Sequence, residues 1–130
     1  MKSSFVDSNI FLEVFARRGE KSDRSLALLQ SAMSLWTTDL VVAEIEWVLR
    51  AGFELPRADI TLCIKRILAF PSLAIDQKKE LVEAIGLYED STADWIDCVN
   101  AILCKKKGIP QAITYDKHFD RFSWIKRIEP

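Results

Sequence analysis

Short apolar runs of strand character alternate with longer stretches of helical period along this chain, and few architectures admit that pattern. Strands separated by helices make βαβ units, and βαβ units build a parallel sheet. Phe5-Val6 closes the first apolar run, which stops at Asp7. A helix is expected from about Asn9 to Arg17, with Ile10, Leu12, Val14 and Phe15 apolar. Ser22-Asp23 can cap a second helix carrying Leu26, Leu28, Leu29 and Met33. Leu35–Thr38 is short, aromatic and rich in β-branched threonine, so it reads as a strand.

A third helix is expected from about Leu40 to Ala51, ended by Gly52. Pro56 suits the first position of a fourth, which Pro71 stops. Leu73–Ile75 reads as a strand, and Asp76 begins a fifth helix with Leu81, Val82, Ile85 and Tyr88. Ser91-Thr92 caps a sixth, from about Ala93 to Lys107, closed by Gly108. Ala112–Thr114 and the stretch from Trp124 to Ile128 supply the last strands. The expectation is one α/β domain over residues 1–130, with helices on both faces of its sheet.

Chain length agrees. At 130 residues, folding buries roughly two-thirds of the unfolded surface. Four Trp and seven Phe supply large core pieces. The net charge of −1 neither demands nor excludes nucleic acid. Cys63, Cys98 and Cys104 match no zinc spacing, and an odd count argues against a disulfide framework. They read as small hydrophobes in a reducing cytoplasm. No run of about eighteen apolar residues offers a membrane span. The N-terminus is not expected to be a signal peptide.

The acidic residues carry the chemistry. Ligands of open parallel sheets bind beyond the carboxyl ends of the strands. Asp7 ends the first strand, and Asp116 lies two residues past Ala112–Thr114. Glu44 falls within a helical stripe of Val41, Ile45 and Val48, whereas Glu46 points elsewhere. A carboxylate on a buried face is costly unless paired or metal-bound. Asp97 shares one side of the sixth helix with Ala93, Asn100, Ala101 and Cys104, and Asp94 lies nearby. Two carboxylates about 4 Å apart repel by roughly 1 kcal/mol in water and about 4 at an effective dielectric of about 20. A divalent ion would neutralise such a cluster, and oxygen ligands favour Mg²⁺ or Mn²⁺ over zinc. That chemistry suits phosphodiester hydrolysis. Singly, Asp7 and Asp116 also read as turn residues, and Glu44 as a buried partner of an Arg such as Arg50.

Four segments resemble the PIN-domain family and, within it, the VapC toxins of toxin–antitoxin pairs. They are Phe5–Asn9, Ala43–Leu49, Ala93–Ala101 with Gly108, and Thr114–Phe119. They occur in family order and cover nearly the whole chain. The resemblance implies a three-layer α/β/α fold with a short parallel sheet of four or five strands. It implies a Mg²⁺- or Mn²⁺-dependent endoribonuclease with Asp7, Glu44, Asp97 and Asp116 as catalytic, metal-binding residues. It implies Asn9 and Thr114 as helpers, a homodimer, and inhibition by a cognate antitoxin whose C-terminal tail enters the groove. Asn100 departs from the apolar residue usual in the family.

Arg17, Arg18, Lys21 and Arg24, expected near the Asp7 edge, are candidates for RNA phosphate contacts. Asp94 reads as part of a capping box in Ser91–Asp94, or as a further member of the site. His118 and Lys105–Lys107 read as solvated surface, and Trp47 and Trp95 as core or dimer contacts. Apolar residues on several faces of the Pro56–Phe70 helix invite a partner surface. Two other readings are a PIN-like module that binds RNA or protein without cutting, and a metal-dependent phosphatase.

Overall fold

A computed structural model describes residues 2–130, and the chain divides into two compact units, Met1–Lys78 and Lys79–Pro130. The first unit holds strands β1 (Ser4–Phe5), β2 (Leu35–Thr37) and β3 (Leu73–Ile75). They form one parallel sheet in the order β1-β2-β3, with Ser4 opposite Leu35 and Leu35 opposite Leu73. Four helices complete the unit: α1 (Ser8–Ala16), α2 (Glu20–Leu29), α3 (Asp39–Trp47) and α4 (Arg57–Ala69).

Side chains alternate across a strand, and here that period is visible. Leu35, Thr37, Leu73 and Ile75 are buried, while Trp36 and Ala74 between them are exposed. Phe11, Leu29, Val42, Ile45, Leu49, Ile64 and Ile67 fill the core of this unit.

The second unit contains α5 (Lys78–Asp90, whose first residue closes the preceding unit), α6 (Trp95–Lys107), β4 (Gln111–Ile113) and β5 (Lys126–Ile128). β4 and β5 pair in parallel, joined through a 3₁₀ turn at Lys117–Arg121. Tyr88 and Trp95 meet edge to face, 5.8 Å apart at 82°. The Trp124 indole N–H donates to the Ala101 carbonyl at 2.8 Å, and Lys106 pairs with Glu80 at 2.6 Å. The five strands among the described residues are all parallel, joined as three and two rather than as one ladder.

Several boundaries differ from the sequence reading. Ser22 and Asp23 lie inside α2, because Gly19, with φ of +112°, is its N-cap. Pro56 is the N-cap of α4, not its first residue: its carbonyl accepts from Asp59 and Ile60 N–H. Lys78, not Asp76, opens α5, and Asp94, not Ser91 or Thr92, is the N-cap of α6. After α3 the chain widens into a π-helical turn at Val48–Gly52, and Phe53 N–H reaches back to the Val48 carbonyl. Gly108 is the left-handed C-cap of α6 as expected, with Lys105–Lys107 in the last turn.

The apolar residues of α4 are consumed within the chain. Ile60, Ile64, Ile67, Leu68 and Phe70 are buried, and only Leu62 of that set is exposed. That helix therefore does not offer the partner patch its sequence implied. All three cysteines are free thiols, Cys98 buried and the others half-buried. Among the described residues, no helix is long and apolar enough to cross a membrane.

Candidate active site

In the second unit, Asp97 occupies the first turn of α6, and Asp116 follows β4 as the N-cap of the 3₁₀ turn. Their carboxyls are close enough to share a hydrogen bond. Burial first, then that bond, then the charges of Asp116 and Asp94 raise the Asp97 pKa to about 6. The His118 imidazole opposes the rise.

Asp116 moves the other way. Its pKa is lowered, chiefly because its carboxylate accepts the His118 backbone N–H. That bond is 2.9 Å, and the His118 Nδ1 lies 2.8 Å from the same oxygen. The Asp97 hydrogen bond adds to the effect. Of the two, Asp97 releases its proton at the higher pH. The Thr114 hydroxyl accepts the Asp116 backbone N–H at 3.0 Å, so it fixes the turn that presents the carboxylate.

His118, read from sequence as mere surface, is thus a direct partner of Asp116, although half-exposed. Asp94 also differs from expectation. Its side chain makes no capping hydrogen bond. The Ser91 hydroxyl instead donates to the Leu87 carbonyl and accepts the Ala93 N–H. The capping-box account is therefore overturned. Asn100 is exposed to solvent, and Trp95 is core.

In the first unit, Val6 is the last buried residue before the chain leaves β1. Its carbonyl accepts the buried Thr37 hydroxyl at 2.8 Å, which ties the ends of β1 and β2 together. Asp7 follows, exposed, as the N-cap of α1, and accepts the Ser8 N–H at 2.8 Å. Thr38 caps α3 in the same way at the end of β2, through Val41 N–H. Since β1 and β2 are parallel neighbours, both helix starts sit at one sheet edge. Asn9 lies exposed in the first turn of α1.

Glu44 requires a correction. It is exposed on α3, while Glu46 is buried to 3 % and bonded to Arg50 at 2.8 Å. The buried stripe runs Val42, Ile45, Glu46 and Leu49, together with Val41. Glu44 is therefore an accessible carboxylate on a helix that packs against α1, the helix capped by Asp7.

Arg17 and Arg18 follow the far end of α1, nine residues from its start. At about 1.5 Å per residue, that places them roughly 13 Å along the helix from Asp7. Lys21 and Arg24 lie on α2, which packs against α1. Trp47, expected in a core or an interface, is 59 % exposed.

Within neither unit do three His, Cys, Asp or Glu side chains gather as a ready cage among the described residues. The donor chemistry still fits a hard cation. Asp97 and Asp116 are two partly open carboxyls whose like charges oppose each other, a repulsion that a bound cation would relieve. Mg²⁺ is commonly held by one or two carboxylates, with water and phosphate oxygens completing its shell.

Residues 4–125 match the PIN domain family. A relative described as "VapC ribonuclease", from Aquifex aeolicus (strain VF5), is 24% identical over 129 residues. The alignment covers 96% of this chain and 95% of that protein. The family match spans both units and includes Asp7, Glu44, Asp97 and Asp116. The chain belongs to the PIN-domain family.

Proposed function

We propose that the chain is a VapC-like endoribonuclease that hydrolyses RNA phosphodiester bonds with Mg²⁺ or Mn²⁺. The observation that carries this reading is the Asp97–Asp116 pair. Asp97 at the start of α6 lies beside Asp116 after β4, and burial first, then that neighbour, raise the Asp97 pKa to about 6. Perturbed carboxyls in such a position mark functional sites more often than structural ones. Family membership and the ribonuclease description of the Aquifex relative support RNA hydrolysis among the chemistries such a pair could serve.

In this reading Asp7, Glu44, Asp97 and Asp116 form the acidic set, and 1–130 works as one PIN domain. Asp97 and Asp116 would hold the cation, which supplies an activated water and neutralises phosphate charge when bound. His118 and Thr114 orient Asp116, the one through its carboxylate and the other through its backbone. Asp7 is held by its own helix cap, and Glu44 is open to substrate. The cations Arg17, Arg18, Lys21 and Arg24 favour an anionic polymer. A cognate antitoxin, a homodimeric state and action in the cytoplasm belong to the same reading.

The test is cleavage of RNA by purified protein. Mg²⁺ or Mn²⁺ should support it, EDTA should abolish it, and Asp97→Asn should remove it in the presence of metal. Full cleavage in EDTA would end the carboxylate reading.

A further inference from the structure

Between α1 and α2 lies a cavity of about 460 Å³, within the roughly 300–1,000 Å³ usual for ligand sites. Ile10 and Leu28 line it with apolar surface, and Asn9, Ser25, Lys21 and Arg24 line it with polar groups. Ser25, only 8 % exposed, presents its hydroxyl among the residues that line this space. Glu13 also borders the space, but Arg17 pairs with it at 3.7 Å. Arg24 stands 3.8 Å from Glu20, and both are exposed. Lys21 has no ion-pair partner among the described residues. Of the charged residues that line the groove, two are cations, Lys21 and Arg24, and one is an anion, Glu13.

Asn9, in the first turn of α1, lines one part of the groove, and Lys21 and Arg24 of α2 line another. An apolar floor, a hydroxyl and a cationic rim match the three parts of a nucleotide: base, ribose and phosphate. We propose that the α1–α2 groove binds one nucleotide of single-stranded RNA flanking the cut bond. Its base rests on Ile10 and Leu28, its sugar or base edge meets Ser25, and its phosphate meets Lys21 and Arg24. This rests on the ribonuclease reading above and adds where the substrate lies.

The test compares wild type with Lys21→Ala/Arg24→Ala and with Ser25→Ala, using a single-stranded oligoribonucleotide and Mn²⁺. Both cations are exposed, so the double variant keeps its fold. Its KM should rise roughly ten-fold, with the loss falling on KM rather than kcat. The slope of log kcat/KM against log salt should shrink by about 1.4, from two phosphate contacts at about 0.7 each. Ser25→Ala should raise KM about three-fold, as loss of one neutral hydrogen bond would. A wild type that cuts the RNA, beside a double variant with unchanged KM and salt slope, overturns the groove. A wild type that cuts no RNA overturns the ribonuclease reading, and the groove with it.

Discussion

One carboxylate oxygen of Asp116 takes two contacts from a single residue: the His118 backbone N–H at 2.9 Å and the His118 Nδ1 at 2.8 Å. The backbone bond belongs to the 3₁₀ turn and survives any substitution except proline. The imidazole contact is separable. His118→Ala should therefore leave the fold intact while letting Asp116 hold its proton to higher pH. Cleavage at neutral pH should fall about ten-fold, the equivalent of one charge-assisted hydrogen bond. The acid limb of the pH–rate profile should move upward, and His118→Asn should restore part of the loss. An unchanged profile in His118→Ala would return the histidine to the role of surface residue.

The same pair makes metal-free stability depend on pH. Asp97 keeps its proton to about pH 6 in the folded protein but releases it near 3.8 when unfolded. Between those values the native state binds more protons than the unfolded chain, so stability falls as pH rises. Asp116, with a lowered pKa, acts oppositely: its contribution is present above 3.8 and is lost as pH falls below. Thermal melts in EDTA should thus show a loss between about pH 4 and 6. Asp97→Asn should flatten it. An equally steep loss in that variant assigns the effect to other groups.

Glu44 and Glu46 should separate activity from stability. Glu44 is exposed, so Glu44→Gln should change stability by about 0.5 kcal/mol or less while abolishing cleavage. Glu46→Gln should do the reverse, costing about 1–3 kcal/mol by loosening a buried charged contact with Arg50 and keeping activity. Denaturant melts and a cleavage assay on both variants check the assignment.

That contrast also marks how far the sequence is legible. Element types and their order follow from hydrophobic period and turn residues, and the family motifs align without knowledge of the fold. The rotation of α3 does not. Stripes through Val41-Ile45-Val48 and through Val42-Ile45-Leu49 share Ile45 and differ by a small turn of the helix. The second is adopted with Glu46 in the core, where Arg50, one turn on, meets its charge. Each stripe has a glutamate beside it, so the period alone does not decide which of the two enters the core. Asp116 and His118 pose the same difficulty: a spacing of two means little until a tight turn brings the ring back to the carboxylate. The α1–α2 cavity depends on how two helices pack, which no local pattern encodes.

Asp7 should tolerate asparagine structurally, because Asn caps helices as well as Asp does. Asp7→Asn should therefore melt within about 0.5 kcal/mol of wild type and lose cleavage. Asp7→Ala should lose cleavage and also about 1 kcal/mol, from the missing bond to Ser8 N–H. Equal stability in the two variants would mean that the cap contributes nothing.

Asp94 and Asp97 stand three residues apart at the start of α6, and the structure gives them different work. Asp97 lies beside Asp116, which helps to raise its pKa. Asp94 is exposed, makes no side-chain cap, and acts on Asp97 through its charge. Asp94→Asn breaks no hydrogen bond, so its stability should stay within about 0.5 kcal/mol of wild type. It also removes one of the charges that raise the Asp97 pKa, so the acid limb of cleavage should move to lower pH. Asp97→Asn, by contrast, should remove cleavage at every pH. The double comparison is a pair of pH–rate profiles with Mn²⁺, run beside thermal melts. A partly active Asp94→Asn with a shifted limb makes Asp94 a tuning charge. A variant as inactive as Asp97→Asn, and as stable as wild type, makes Asp94 a direct member of the site. A loss of about 1 kcal/mol would instead revive the capping role that the hydrogen bonds of Ser91 argue against.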